Sequence, residues 1–327
     1  MSETFVAPPG YGGLESDVAW DPQRHLALQA PERVTLLGEW GPDAAGPSAL
    51  SPVAITSAFR LLSDEGVVVL QAICGELEQY SVGDERIAKK VRGSIYRSEF
   101  LRGMYEDASV LALLRELAQA PLEPHPVSHH AIHINYAPDD LARNVDQWHR
   151  DVISFDYVLM VSDPRPMRGG RFEYFLGPVE EGRELLESGA GLPPERVASP
   201  DFPGPGWAVL QQGHRVLHRA ARLEERYPRI TIVGSYWTPL PELDDPTDLP
   251  TIVRVDGPEI ALVEWSRFQA CVAAHRLEHF AATKTDFARP TRELQEELRA
   301  IAARLEAAAD AFDDPEEGRL IYFDDGK

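Results

Sequence analysis

The run Trp148-His149-Arg150-Asp151-Val152-Ile153-Ser154-Phe155-Asp156-Tyr157-Val158-Leu159-Met160-Val161 decides how the chain is read. It opens on a His-x-Asp pair and continues as a stretch dense in Val, Ile, Phe, Tyr and Leu, residues that suit a buried strand. A strand places residues i and i+2 on one face. A strand over His149–Val161 therefore projects His149 and Asp151 together, with Ile153, Phe155 and Tyr157 continuing that face. An imidazole beside a carboxylate makes two ligands for a metal ion, and a third must come from another strand. His218 is the best candidate. Two histidines and one carboxylate leave three positions open on one face of an octahedral ion, which suits Fe(II).

His214 is the rival third ligand, because on a helix it would sit beside His218. Gln211-Gln212-Gly213 argues for a turn there instead. Ten residues separate His218 from Arg229, a gap suited to the next antiparallel strand. Arg229 and Thr231 then share a face with Val233, Ser235 and Trp237. A guanidinium grips a carboxylate with two parallel hydrogen bonds, and a hydroxyl adds a third. One pocket thus offers a place for a metal and a place for a carboxylate.

Around this stretch the chain reads as many short strands separated by Gly/Pro turns, which indicates a sandwich or barrel. Strands are expected at His129–Ala137, at Arg171–Leu176 after the Gly169-Gly170 turn, and at Ala208–Gln211, Val216–Ala220 and Arg229–Trp237. Residues 177–206 form a Gly- and Pro-rich insertion with a short helix at Glu180–Ser188. Upstream, 1–50 is an irregular arm with a short strand at Arg33–Leu37. Ser51-Pro52 is expected to start a helix carrying Ile55, Phe59 and Leu62, which Asp64-Glu65-Gly66 ends before a strand at Val67–Leu70. Ser109–Ala118 buries one helical face through Leu111, Leu114 and Leu117. In the tail, one helix opens at Asp256-Gly257-Pro258-Glu259 and runs to about Ala281. A second, capped by Thr291, carries the stripe Leu294, Leu298, Ile301, Leu305, Ala308 and Phe312. Packing on the sheet is the favoured use of that stripe, with a homodimer contact through the C-terminal helices as the alternative.

The set His149, Asp151, His218, Arg229 and Thr231 resembles the signature of the Fe(II)/2-oxoglutarate-dependent oxygenase family. His133-Ile134-Asn135-Tyr136 is similar to the strand before that family's metal motif, Gly169-Gly170-Arg171-Phe172 to its double-glycine turn, and 52–70 to its leading element. The resemblance covers about 52–240. It implies a mainly β fold with helical support, a double-stranded β-helix (jelly roll, cupin-like) flanked by N-terminal and C-terminal helices. It further implies a 51–245 oxygenase domain with its jelly-roll core at about 128–240, and a helical extension over 246–327 packed on it. Fe(II), 2-oxoglutarate and O2 are the implied cofactor and cosubstrates, with succinate and CO2 released. Arg229 and Thr231 would hold 2-oxoglutarate, with Asn135 and Tyr136 as further candidates. Phe172, Tyr174, Trp237 and His133 are candidate substrate contacts. The carboxylate of Asp151 fills the position that related halogenases open for chloride, so hydroxylation, desaturation or cyclisation is expected. The substrate expected is a small molecule, an amino acid or a natural-product intermediate as in microbial secondary metabolism. A peptide hydroxylase of the same fold and a non-catalytic jelly-roll metal binder are the alternatives.

Composition narrows the partners. The 327 residues are 43% hydrophobic, enough for a sizeable core, and carry a formal net charge of −21. Such a charge disfavours nucleic acid and anionic membranes, which need clustered Lys and Arg. Two distant cysteines, Cys74 and Cys271, make no disulfide framework or cysteine metal motif. Met1–Gly13 lacks the regions of a secretory leader, and no run reaches the roughly 20 apolar residues of a membrane span. A cytoplasmic protein is the expectation. The histidines at 125, 129, 130 and 133 raise a second metal site as a lesser candidate, with one of them lining the pocket favoured over it.

Overall fold

In this computed structural model the described residues are 6–46, 49–241, 243–284, 290–313, 318, 320, 322 and 323. Parts of the arm expected over 1–50 and of the extension expected over 246–327 fall outside them. Five short strands come first: β1 (Val34–Leu36), β2 (Val53–Thr56), β3 (Phe59–Arg60), β4 (Lys90–Val91) and β5 (Glu123–Pro124). Eight follow: β6 (Ile132–Tyr136), β7 (Asp146–His149), β8 (Phe155–Met160), β9 (Phe172–Phe175), β10 (Val197–Ala198), β11 (Trp207–Gln211), β12 (His218–Ala220) and β13 (Ile230–Trp237). The larger sheet runs β1-β2-β11-β8-β13-β6-β4, with β3 also on β11 and β5 on β13, and the smaller runs β10-β9-β12-β7. From β6 to β13 the chain passes between the sheets, only β9 and β10 following each other in the same one. That winding is a double-stranded β-helix, as the sequence resemblance implies.

The period of two along these strands separates two environments. Ile132, Ile134 and Tyr136 of β6 turn outward, as do Phe155, Tyr157 and Leu159 of β8 and Ile232 and Tyr236 of β13. They join one hydrophobic cluster with the helices Asp64–Leu77, Glu99–Glu106 and Ala108–Ala118. The opposite face carries His133, Asn135, Asp156, Val158, Thr231 and Val233, and these line a cavity. Truncating one buried Leu or Ile to Ala costs about 2–5 kcal/mol, whereas a neutral hydrogen bond contributes about 1 kcal/mol net. The outer face therefore holds the fold, and the inner face is left free to be polar.

Several expectations are corrected. Residues 53–70 reverse the expected order: Val53–Thr56 and Phe59–Arg60 are strands, and Asp64–Leu77 is a helix. Ser63 caps that helix by accepting from the Gly66 N–H at 3.0 Å, and Asp64 and Glu65 suit its positive end. Val67, Leu70, Ile73, Cys74 and Leu77 then bury one helical face, so Val67–Leu70 is not a strand. The expected strand over His149–Val161 is two strands in different sheets, because the chain crosses from β7 to β8 between Arg150 and Ser154. Phe155 and Tyr157 consequently face the helices and not His149 and Asp151.

The short strand at Val34–Leu36, the helix Ala108–Ala118 and the insertion helix Val179–Glu187 form close to where they are expected. Of the expected strand at His129–Ala137, Ser128–Ala131 is instead a helical turn. In the tail, a helix Leu249–Asp256 precedes Pro258–Thr283; Asp248 caps it through the Thr251 N–H, and Gly257, at φ +79°, joins the two. Pro258–Thr283 packs Phe268 and Val272 against Trp237 of β13. Thr291–Asp310 packs on that helix, burying Ile301 and Ala308 while Leu298, Leu305 and Phe312 stay exposed. Pro290, not Thr291, holds its cap position. No helix among the described residues is long and apolar enough to cross a membrane.

Candidate metal centre and its cavity

His149 ends β7 and lies directly opposite His218, the first residue of β12. The pairing brings their ring centroids to 4.2 Å. Asp151 reaches the same point from the crossing after β7, where its backbone N–H donates to the Gly213 carbonyl at 3.1 Å. A turn, and not the strand face expected from the i, i+2 spacing, brings Asp151 to His149. Its carboxylate lies 3.4 Å from His149 Nε2 and 3.3 Å from His218 Nε2. One ligand atom from each of the three lies within 4.8 Å of the others, and no other such group of three occurs among the described residues. His214 is not in it; its Nδ1 faces the Ser154 carbonyl at 3.3 Å.

The ring orientations fit a metal. His149 Nδ1 lies 2.7 Å from the Gln147 carbonyl and His218 Nδ1 2.9 Å from the Val216 carbonyl. A carbonyl only accepts, so each Nδ1 carries the proton and each Nε2 presents a lone pair to the shared centre. Burial, then the Arg86 charge, lowers the His149 pKa, which keeps the ring neutral. Burial opposes the Asp151 charge; the His218 and His149 rings, when protonated, outweigh it and hold its pKa well below the ordinary value. A divalent ion would take the place of those protons, bound by neutral imidazoles and an ionised carboxylate.

Four further residues complete the surroundings. Arg86 donates from Nε and Nη2 to the two Asp146 oxygens at 2.9 and 3.2 Å and lies 3.9 Å from Asp151. Asp156 is fully buried, and burial, followed by the Asp151 charge, pushes its pKa well above the ordinary value. Gln211 Nε2 donates to Asp156 at 3.0 Å and lies 3.1 Å from His218 Nε2. Gly213 is required here, since a Cβ would meet Asp156 at 2.4 Å and Asp151 at 2.6 Å. Sequence reading missed these four. Asp156 and Gln211 carried a signal, as lone polar residues in the apolar runs 155–161 and 207–211; Arg86 carried none.

Arg229 enters the cavity from its far side. It is 1% exposed and donates from Nε to the Gly170 carbonyl at 2.7 Å and from Nη1 to Thr231 Oγ1 at 3.1 Å. The positive φ of Gly169 and Gly170 (+70° and +63°) turns that carbonyl toward it. No carboxylate pairs with Arg229 among the described residues, and burial lowers its pKa to about 10. Asn135 lies opposite Thr231 in the sheet, and its buried Oδ1 has no hydrogen-bond partner. A buried guanidinium with no carboxylate partner, beside the Thr231 hydroxyl in one cavity, fits an anionic ligand whose oxygens accept from both.

The other expected contacts divide. His133 and Phe172 line the cavity. Tyr136 does not: it is on the helix-facing side of β6, and its hydroxyl donates to the Cys74 carbonyl at 2.8 Å. Tyr174 leans on Trp40 at 6.2 Å, outside the cavity lining. Trp237 lies past the barrel end, edge-on to Phe268 at 5.5 Å and to His275 at 5.2 Å. The other histidines of the 125–133 cluster meet groups within the fold. His129 and His130 face Asp256 at 2.8 and 3.2 Å, Arg92 holds that carboxylate with two bonds, and His125 meets Thr247.

No protein-family model and no curated protein matches the chain. Among solved structures it is similar to the non-heme alpha ketoglutarate dependent carbocyclase SnoK from nogalamycin biosynthesis, at 16% identity and TM-score 0.43, over 64% of this chain and 87% of that one. EctD from S. alaskensis with bound Fe gives 17% and 0.43 over 68% and 88%. HygX from Streptomyces hygroscopicus with nickel and 2-oxoglutarate bound gives 16% and 0.38 over 53% and 78%. Identities and TM-scores this low leave reaction and substrate to be argued from this chain's own residues. In its sequence pattern the chain resembles the Fe(II)/2-oxoglutarate-dependent oxygenases.

Proposed function

We propose that this protein is an Fe(II)/2-oxoglutarate-dependent oxygenase that oxidises a C–H bond of a small molecule. The observation that carries the proposal is the buried, unpaired Arg229 in the same cavity as the three ligands: a structural metal site has no use for it. His149, Asp151 and His218 would hold the ion and leave adjacent positions open. Arg229 and Thr231 would donate to the far carboxylate of 2-oxoglutarate, with the side-chain N–H of Asn135, opposite Thr231, as a further donor. A bound Fe(II) supplies the dioxygen chemistry, with overall balance substrate C–H plus 2-oxoglutarate plus O2 giving oxidised substrate, succinate and CO2. The protein's part is to fix the ligands, through the Nδ1 bonds of both histidines and through Arg86 on Asp146, and to keep water out with the Val158, Phe172 and Val233 side chains.

We take 51–245 as the catalytic unit, 1–50 as an arm and 246–327 as a helical extension, and microbial secondary metabolism as its setting. The test is succinate release from 2-oxoglutarate by the purified protein. It should require Fe(II) and O2 together and vanish in His149→Ala. Succinate release independent of added Fe(II), or unaffected by that substitution, would overturn the proposal.

A further inference from the structure

A second cavity adjoins the first and shares Arg86, His133 and Asp151 with it. Arg229 lines the first cavity and not this one, whereas Asp151 lines both, so a molecule here would meet the metal centre without occupying the 2-oxoglutarate end. Ile87, Val152, Ile153, Val255 and Leu320 give it apolar walls. Four cationic side chains also line it: Arg86, Lys90, Arg92 and Arg150. Three are neutralised in place. Arg86 is bound to Asp146, Lys90 to Asp84, and Arg92 to Asp256. Arg150 has no carboxylate or hydrogen-bonding partner among the described residues. It is half-buried, and it sits between two of the metal ligands in sequence. In a chain of 53 acidic and 32 basic residues, a lining guanidinium left unpaired is a charge held for something else.

We infer that this cavity takes the substrate, that the substrate is a small amphipathic molecule carrying a carboxylate or phosphate, and that Arg150 is the counter-charge that binds this group. The inference rests on the oxygenase reading. A guanidinium is the side chain suited to either anion, which it meets with two parallel hydrogen bonds. The apolar walls hold the remainder of the molecule, and the shared Arg86, His133 and Asp151 edge places it next to the ion.

The test uses the full chain loaded with Mn(II) and saturated with 2-oxoglutarate, so that Arg229 is occupied. The probes are phenyl phosphate, phenylacetate and the neutral phenylacetamide, and the readout is the paramagnetic relaxation of their ring protons. At least one acid should show saturable relaxation and the amide should not. Arg150→Gln should weaken the acid roughly tenfold or more, the size of a lost charge-assisted hydrogen bond, and Arg150→Lys should recover part of that affinity. An amide relaxed as strongly as the acids, acids bound equally by Arg150→Gln, or no probe relaxed at all would each overturn the inference. Water-proton relaxation in the same samples reports whether 2-oxoglutarate binds the Mn(II)-loaded protein. Its failure to do so in the unaltered protein would overturn the oxygenase reading itself, and this inference with it.

Discussion

Replacing Arg229 with Met separates a ligand-binding arginine from a structural one, because the two roles predict different stabilities. Burial lowers the Arg229 pKa from its ordinary value to about 10, which corresponds to about 3 kcal/mol held against the charged form. The side chain offsets this with two hydrogen bonds, to Gly170 O and Thr231 Oγ1, at about 1 kcal/mol each. An apolar side chain of similar length removes the penalty and the bonds, and leaves the Gly170 carbonyl and the Thr231 hydroxyl without that donor. The terms nearly cancel, so the ligand-free variant should match the unaltered protein in stability to within about 1 kcal/mol. Its 2-oxoglutarate affinity should fall by roughly two orders of magnitude, since two charge-assisted bonds at about 1.5 kcal/mol each are lost. Denaturant unfolding without ligand reads the first, and unfolding in Mn(II) with and without 2-oxoglutarate reads the second. At a hundredfold excess over Kd the unaltered protein gains about 2.7 kcal/mol, and the variant under the same conditions gains less than about 0.5 kcal/mol. A ligand-free variant several kcal/mol less stable than the unaltered protein, or one that keeps the full ligand gain, would refute the reasoning.

Other substitutions test the remaining assignments. His149→Ala and His218→Ala should each lower Mn(II) affinity at least a hundredfold by calorimetry, while His214→Ala should keep it within a few-fold; the reverse order would make His214 the ligand. Tyr136→Phe should cost about 1 kcal/mol of stability through the lost bond to the Cys74 carbonyl and leave 2-oxoglutarate binding unchanged, and a binding defect would return Tyr136 to the site. Acid should destabilise the protein through His125, whose pKa burial lowers to about 4. Its native ring stays neutral while the unfolded one protonates below about 6.5, so stability falls as pH drops from about 6.5 to about 4, by up to about 1.4 kcal/mol per pH unit. Equilibrium unfolding of His125→Asn over that range should show a shallower fall, and an unchanged slope would remove His125 from the account.

The barrel and the pairing of His149 with His218 were legible because they follow short-range rules. Alternation, Gly/Pro turns and the His218–Arg229 gap each reflect strand geometry that a few residues specify. What failed depended on context. Residues 51–70 have apolar content that fits helix or strand, and the deciding contact is the Ser63 cap on Gly66, a signal weaker than Pro52 appeared to give. The 149–161 run hides a sheet crossing because apolar residues bury equally well in either sheet. Tyr136 and Trp237 share strands with site residues, but one faces the helices and the other lies beyond the barrel end under Phe268. Arg86 and Arg150 gain their meaning only from which carboxylates stand near them, a fact no spacing records.

The most direct measurement is anomalous scattering at the iron edge from crystals grown anaerobically with Fe(II) and 2-oxoglutarate. The account predicts one strong peak bonded to His149 Nε2, Asp151 and His218 Nε2, with 2-oxoglutarate reaching from it to the Arg229 guanidinium. A peak elsewhere, or 2-oxoglutarate bound away from Arg229, would contradict it.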